Sequence, residues 1–335
     1  MSTRNKKKKK EKKLRSLFLL LFLTIIMLGT ATYAWFTANQ VVIIQALDLQ
    51  VEASNGLQIS TDAVTWKSVI TNTDITSGAY SGAINQVPTS VTAVSSDGTV
   101  TSGKMNMYLG TITNDETTGD YLITSTKQTD TAGNNGYYIA FDVFLKTDTT
   151  QEVFLAGSSN VSHKAVPIAG TDDETTDKGL KNSARVGFVI LGHGASTDSV
   201  SSLTGLTNGN PTNAIIWEPN YTSHTSQALV VASEYGISAP TNSATAYRGL
   251  NKEFSNGDLK KTVKGEGTEA GYATAMTPAI RTAEGNSANS TFTTLEAGVT
   301  KVRIYMWIEG QDIDCENNAT GTDISFNVSF TTATT

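Results

Sequence analysis

Residues 323–330 read DISFNVSF, and their alternation is unbroken. Ile324, Phe326, Val328 and Phe330 fall on one side of an extended chain, and Asp323, Ser325, Asn327 and Ser329 on the other. A period of two with one apolar and one polar side marks a half-buried β-strand. Upstream, KVRIYMWIE (301–309) sets Val302, Ile304, Met306 and Ile308 against Lys301, Arg303, Tyr305, Trp307 and Glu309. ARVGFVIL (184–191) alternates Val186, Phe188 and Ile190 with Arg185, Gly187, Val189 and Leu191, so its second side is apolar enough to be covered too. YYIAFDVFLK (137–146) puts Tyr137, Ile139, Phe141, Val143 and Leu145 together.

Strands of this kind need another layer over their apolar faces. No regular helix–strand alternation prepares a parallel sheet. The expected fold is therefore all-β, an antiparallel β-sandwich of jelly-roll or immunoglobulin-like type with long polar loop insertions. Helical pattern is scarce: 246–257 suggests one or two turns ending at Gly257, and 104–110 one more. The stretches 70–104, 114–135, 170–183, 195–214 and 256–300 are rich in Thr, Ser, Asn and Gly and read as too polar to build a core. The expected plan is an N-terminal segment, 1–34, and a single sandwich domain, 35–335, with insertions at about 70–104, 114–135 and 195–300.

Charge is divided unevenly. Residues 1–34 hold nine Lys and Arg and one acid, Glu11, leaving 16 bases against 30 acids in the rest. An acidic body has no basic surface to neutralise phosphates, so a nucleic-acid partner is not expected. Ser and Thr make up about a quarter of the chain, a composition common in extracellular β-proteins. The one cysteine, Cys315, allows no internal disulfide. It reads as a buried, inert residue rather than an intermolecular link.

The basic stretch NKKKKKEKKLR (5–15) resists crossing a bilayer. Leu17 to Leu28 follow, all apolar except Thr24. As a helix these residues span about 18 Å, short of the roughly 30 Å of a hydrocarbon core. Gly29 and a small-residue exit come next, the layout of a secretory signal. Thr32 and Ala34 would fill the shallow pockets of a signal peptidase at −3 and −1, making Trp35 the new N-terminus, with Ala31 as an alternative. The competing reading is an uncleaved anchor that meets the membrane only through residues 14–36. Both readings place 35–335 outside the cytoplasm, secreted or on the cell surface, and make the export machinery a partner.

GTATYAWFTANQ (29–40), with the strand QALDLQVEAS (45–54) after it, resembles the signal region of camelysin/TasA-type surface proteins of Gram-positive bacteria. In that family a dedicated signal peptidase cuts before an aromatic-containing segment. The resemblance covers about the first 55 residues and lacks the usual Gly before the strand. Two further stretches, 56–68 and 301–330, are similar to parts of uncharacterised secreted proteins carrying such signals. The resemblance implies a surface or biofilm-matrix protein forming fibres, and it raises a metallopeptidase activity as the lowest-ranked expectation.

The residues themselves offer no catalytic centre. His163, His193 and His224 stand in separate segments without the HExxH spacing of a zinc hydrolase. No Ser sits in a GxSxG turn, and Cys315 has no neighbouring His. LGHGAS (191–196) lacks the Lys of a phosphate loop and reads as a turn leaving a strand. TDDETTDKG (171–179) and EGQDIDCENN (309–318) offer calcium-type oxygen ligands, but without EF-hand spacing they read as solvated acids. In the second, Gly310 turns the chain and Asp312 or Asp314 caps the turn. Trp217, in IIWEPNY (215–221), reads as core. No catalytic residue, metal or cofactor is assigned, and the expectation is a non-enzyme.

There is no LPxTG-type sorting signal, so surface retention would come from polymerisation, wall binding or the uncleaved N-terminus. The stretch left by cleavage, WFTANQVVIIQALDL (35–49), is apolar on both faces from Val41 through Val42 and Ile43 to Ile44, with Leu47 and Leu49 beyond. At a free sheet edge such a segment invites pairing with another chain. Its alternatives are first strand of its own sandwich or a strand donated to a neighbour. The resulting expectation is a structural subunit that polymerises with itself. The second is a binding module whose long loops contact carbohydrate or host protein.

Overall fold

The two most regular stretches of the sequence meet in one core. Val302, Ile304, Met306 and Ile308 share a cluster with Ile324, Phe326, Val328 and Phe330 while belonging to different sheets. The computed structural model describes the backbone of 41–51 and residues 56–114, 121–164, 177–238, 243, 247–264, 271–316 and 323–332, all within the unit Trp35–Thr335. The protein is mostly β, built from several antiparallel sheets.

The seven-stranded sheet runs β18 (Ser290–Leu295), β10 (Gln151–Leu155), β20 (Asp323–Thr331), β1 (Val41–Val51) and β3 (Val69–Ile70). In it β11 (Asn160–Lys164) also pairs with β20, and β4 (Ser90–Thr92) with β1. The six-stranded sheet runs β17 (Ile280–Thr282), β13 (Ile215–Pro219), β12 (Ala184–Gly194), β19 (Gly298–Ile308), β9 (Ile139–Thr147) and β2 (Gln58–Ser60). Smaller sheets join β7 (Met107–Asn114), β8 (Tyr121–Gln128) and β15 (Phe254–Asp258), then β14 (Tyr247–Leu250) with β16 (Ala273–Met276), and β5 (Val100–Thr101) with β6 (Lys104–Met105). The helices are α1 (Asn72–Thr76), α2 (Val200–Thr204), α3 (Ser226–Glu234) and α4 (Leu259–Lys264).

Two pairings depart from the antiparallel expectation. β1 runs parallel to β20, and β13 parallel to β17. β1 also divides its partners: Val41 to Ile43 pair with β4, and Ile44 to Val51 with β20, with a register shift between Ile44 and Ala46. The chain leaves β18 for β19, in the other sheet, through Gly298 at φ 132°. Only glycine holds that conformation at low cost, and a Cβ there would stand 2.4 Å from the Gly194 carbonyl oxygen.

Both faces of the six-stranded sheet are covered. Val186 and Phe188 of β12 face the main core, where Phe188, Phe292 and Phe330 pack with ring centroids 5.0 to 5.6 Å apart. On the opposite face, Tyr138, Ala140, Val189, Leu191, Tyr305 and Trp307 form a second cluster with Met105 and Met107. Where a helical turn was expected, 104–105, 107–110, 247–250 and 254–257 are strand instead. Met105, Met107 and Leu250 are worth more buried under a sheet than any single helical turn would gain.

The polar stretches also contribute core. Ile75, Val91 and Ala93 enter the main cluster. Between those stretches, within the 195–300 insertion, α3 buries Ala228, Val231 and Ala232 and ends at the buried Tyr235, an i, i+3, i+4, i+7 stripe. This stripe packs in a cluster with Tyr108, Ile123, Leu250, Leu259, Val263 and Ile313. A few apolar residues at the correct spacing outweigh a polar average.

Phe330→Ala should lower stability by about 3–5 kcal/mol in urea titration, because it empties the aromatic centre of the core. Val64→Ala, at a side chain 60% exposed, should stay within about 0.5 kcal/mol of the parent.

Candidate functional site

The chemistry-bearing residues gather at three places: a buried charge cluster on β19, the turn 309–316, and the slot that holds β1. Arg303 lies on the second face of β19 and is almost wholly buried. Its Nη1 donates to Asp142 Oδ1 at 2.8 Å, its Nε to Asp130 Oδ2 at 2.9 Å, and its Nη2 to the Ile84 carbonyl at 2.7 Å. Tyr80 donates to Asp142 at 2.6 Å, while Tyr138 and Tyr305 donate to Asp130 at 2.8 and 2.9 Å. Lys301 reaches the Thr204 carbonyl at 2.6 Å and stands 3.4 Å from Asp142. Burial alone would raise the Asp142 carboxyl, but Arg303 and Lys301 outweigh it and hold the pKa below its ordinary value. The three phenols are pushed up, chiefly by burial, and stay protonated donors. Every charge here is answered by another, so the cluster fixes β9, β19 and the 80–86 and 130 segments rather than offering a reactive group.

After β19, Gly310 donates to the Val94 carbonyl at 2.8 Å and Asp312 accepts the Asp314 amide at 2.9 Å. That is the turn expected of 309–318, but its acids are not solvated. Glu309, Asp314 and Glu316 are buried, and Asp312 pairs with the fully buried Arg185, which also donates to Glu218 at 2.7 Å. Cys315 is buried, and burial together with the surrounding carboxylates pushes its thiol pKa up, away from the nucleophilic form.

His224 joins the turn to α3. Its Nδ1 lies 2.6 Å from Asp314 Oδ2 and its Nε2 3.0 Å from the Ser243 carbonyl. Asp314 Oδ1 accepts the amide of Thr225, the N-cap of α3, at 3.1 Å. A carbonyl cannot donate, so Nε2 carries a hydrogen, and the Nδ1–carboxylate contact needs a second one. The pair therefore holds a proton that an exposed His and Asp would release near neutrality. Burial works against the charged imidazole, but Asp314 outweighs it and raises the His224 pKa; burial also raises that of Asp314.

The three histidines do not come together as ligands in the described contacts. His163 sits on β11 opposite Ile324, and His193 at the end of β12, 3.3 Å from Thr300 Oγ1. Among the described residues no group of three His, Cys, Asp or Glu is arranged to hold a metal. In the other acidic stretch Asp177 pairs with Lys181 at 2.8 Å, and 171–176 lie outside the described residues. Trp217 is fully buried and donates to Thr282 Oγ1 at 2.9 Å.

Thr32, Ala34 and Trp35, with the apolar segment 14–36, lie outside the described residues. Among those described, no helix is long and apolar enough to cross a membrane. Val41, Val42 and Ile43 pair with Thr92, Val91 and Ser90. Ile44, Leu47 and Leu49 pair with Ile324, Phe326 and Val328, and Leu49 also with Ile70. β1 is thus not a free edge: it lies between β20 and β3, and β4 pairs with its first three residues. Sequence reasoning missed Arg185, Arg303 and Asp142, although Tyr305 and Trp307 on the same side of 301–309 signalled that this side is covered.

Comparison with protein-family models, curated proteins and solved structures finds no match.

Arg303→Met would leave the buried Asp130 without a cation and Asp142 with Lys301 alone, and should cost about 3–5 kcal/mol in urea titration. Lys67→Met, at the exposed Lys67–Asp74 pair, should cost less than about 1 kcal/mol. Because folding raises both pKa values of the His224–Asp314 pair, the histidine's contribution is complete below its unfolded pKa of about 6.5 and is lost as pH rises through the folded value. Urea midpoints should therefore fall between pH 6 and pH 9, and His224→Gln should flatten that fall.

Proposed function

We propose that this protein is an exported, non-enzymatic β-sandwich that serves as a structural subunit of the cell surface or biofilm matrix and assembles by donating β1 to a neighbouring copy. The observation that carries the reading is the place of β1 in its sheet. It pairs with β20 on one side and with β3 on the other, with β4 beside its first three residues, and it precedes every other described strand. A strand entering from one end of the chain can be withdrawn without unthreading any other element. Its departure would uncover the β20 backbone from Ile324 to Phe330, a seven-residue template for an identical strand from another copy. The basic head, the short apolar run and the small-residue exit at 29–34 support export, and the resemblance to camelysin/TasA-type proteins supports the matrix role. The strand's own sequence, apolar on both faces from Val41 to Ile44, suits a segment buried wherever it docks.

One observation favours a second reading, a binding module. A cleft of about 460 Å³ opens between α1 and the loop after Asp130, lined by Ile75, Tyr80, Ala83, Asn85, Val87 and Gly133. Its lining carries no charged side chain, which would suit an uncharged ligand such as a carbohydrate.

Purified 35–335 at high concentration should form fibres visible by electron microscopy. A chain lacking 35–51 should form none and should instead bind a synthetic 41–51 peptide. Persistent monomers from the first, or fibres from the second, would overturn strand donation. Mass spectrometry of the native protein should find Trp35 at the N-terminus; Met1 there would leave no free donor end.

A further inference from the structure

The parallel pairing of β1 with β20, the first and last of the described strands, has a mechanical consequence. β1 and β20 run in the same direction over seven registered pairs, Ile44↔Ile324 and then Ala46↔Ser325 through Val51↔Phe330. The chain enters this pair at the start of β1 and leaves it at the end of β20, so entry and exit lie at opposite ends of the ladder. A pull on the chain before Val41 and after Thr331 drags the two strands past one another along their common axis. All pairs are then loaded at once, over roughly 20 Å of ladder at about 3.3 Å per residue. Two strands entered from the same end would instead peel apart pair by pair, each pair carrying the whole load in turn.

β20 is also secured on its other side. Asn160 to Lys164 of β11 pair with 323–327, and Phe154 and Leu155 of β10 with 330–331. Sliding β20 along its axis therefore loads those ladders in the same sense. At its start β1 is held by β4 over Val41 to Ile43, and near its end by β3 at Leu49 and Gln50. The register shift between Ile44 and Ala46 bends the strand between partners and opposes axial slippage. Beneath the ladder, Ile324, Phe326, Val328 and Phe330 are buried in the main core, so moving β20 by one pair would also drag four apolar side chains out of their seats.

From this geometry we infer that the β1–β20 ladder is a tension-bearing clamp, through which the protein resists a pull applied along its chain. The inference rests on strand direction and register alone, and it holds whether β1 stays in its own sheet or is donated. In the donated case the same seven pairs join successive subunits, and tension along the fibre falls on them in shear.

The test is single-molecule force spectroscopy on the full-length chain in detergent, with handles at its two ends. The expected trace is one cooperative high-force rupture, releasing on the order of 1,000 Å of contour for residues 41–331. The comparison moves the second handle to an Asp323→Cys thiol at the start of β20, which puts both points of load at the same end of the ladder. Cys315, buried and with its thiol pKa raised, leaves the new thiol as the reactive one. Circular dichroism checks that the variant remains folded. Rupture force should fall severalfold in this geometry. Equal forces in the two geometries would overturn the clamp. So would an early low-force step of about 50 Å under end-to-end loading, since that is the length released if β1 peels off alone. Because single molecules are pulled, the result stands apart from whether the purified protein forms fibres.

Discussion

Strand β19 cannot face water on either side. One face carries Val302, Ile304, Met306 and Ile308; the other carries Lys301, Arg303, Tyr305 and Trp307, with Glu309 directly after the strand, and all nine are buried. The first face asks for a second sheet, which β20 and its neighbours supply. The second asks for something more demanding, because a buried guanidinium is tolerated only where counter-charges and hydrogen-bond acceptors converge on it. Asp142 from the adjacent strand, Asp130 from a loop and the Ile84 carbonyl meet that need together. The long excursions between strands are therefore fixed by chemistry at their inner ends, whatever their outer surfaces do.

The turn after β19 repeats the logic on a smaller scale. Asp312 and Asp314 lie two residues apart and point to different tasks. The first answers Arg185 from β12, and the second receives the N-terminal end of α3 through Thr225 and His224. One short loop thus ties the six-stranded sheet to the helical side of the molecule. A cluster that looks on paper like a cation site is occupied with internal bonds.

Much of the fold was legible because period-two patterning reports burial directly. The strands at 137–146, 184–191, 301–309 and 323–330 all appear, and Trp217 and Cys315 are buried as their residue types suggested. Partners were less legible. Nothing local in QALDL says that it will lie parallel to a strand some 280 residues later, since pairing over that separation depends on the whole core. The polar excursions were misread because an average hides position: Ile75 or Val91 fills its seat regardless of the threonines beside it. The helix at 72–76 was missed inside the polar stretch 70–104, although Thr71 and Asp74, which form its capping box, signalled it. The buried pair of His224 and Asp314 left no such trace, because only the fold brings the two residues together. The export signal stayed a matter of composition and layout.

Among the described strands, β1 is made first and β20 last. Until Asp323–Thr331 emerges, β1 has no β20 to lie against, and every shorter length of chain carries an apolar segment without its principal neighbour. Closing a contact across nearly the whole chain is slow, because the entropy of the intervening loop is lost before the ladder forms. The six-stranded sheet waits as well, because β19 lies between β9 and β12 in it. Both sheets of the main core are thus closed by β19 and β20, which are made after all the other described strands.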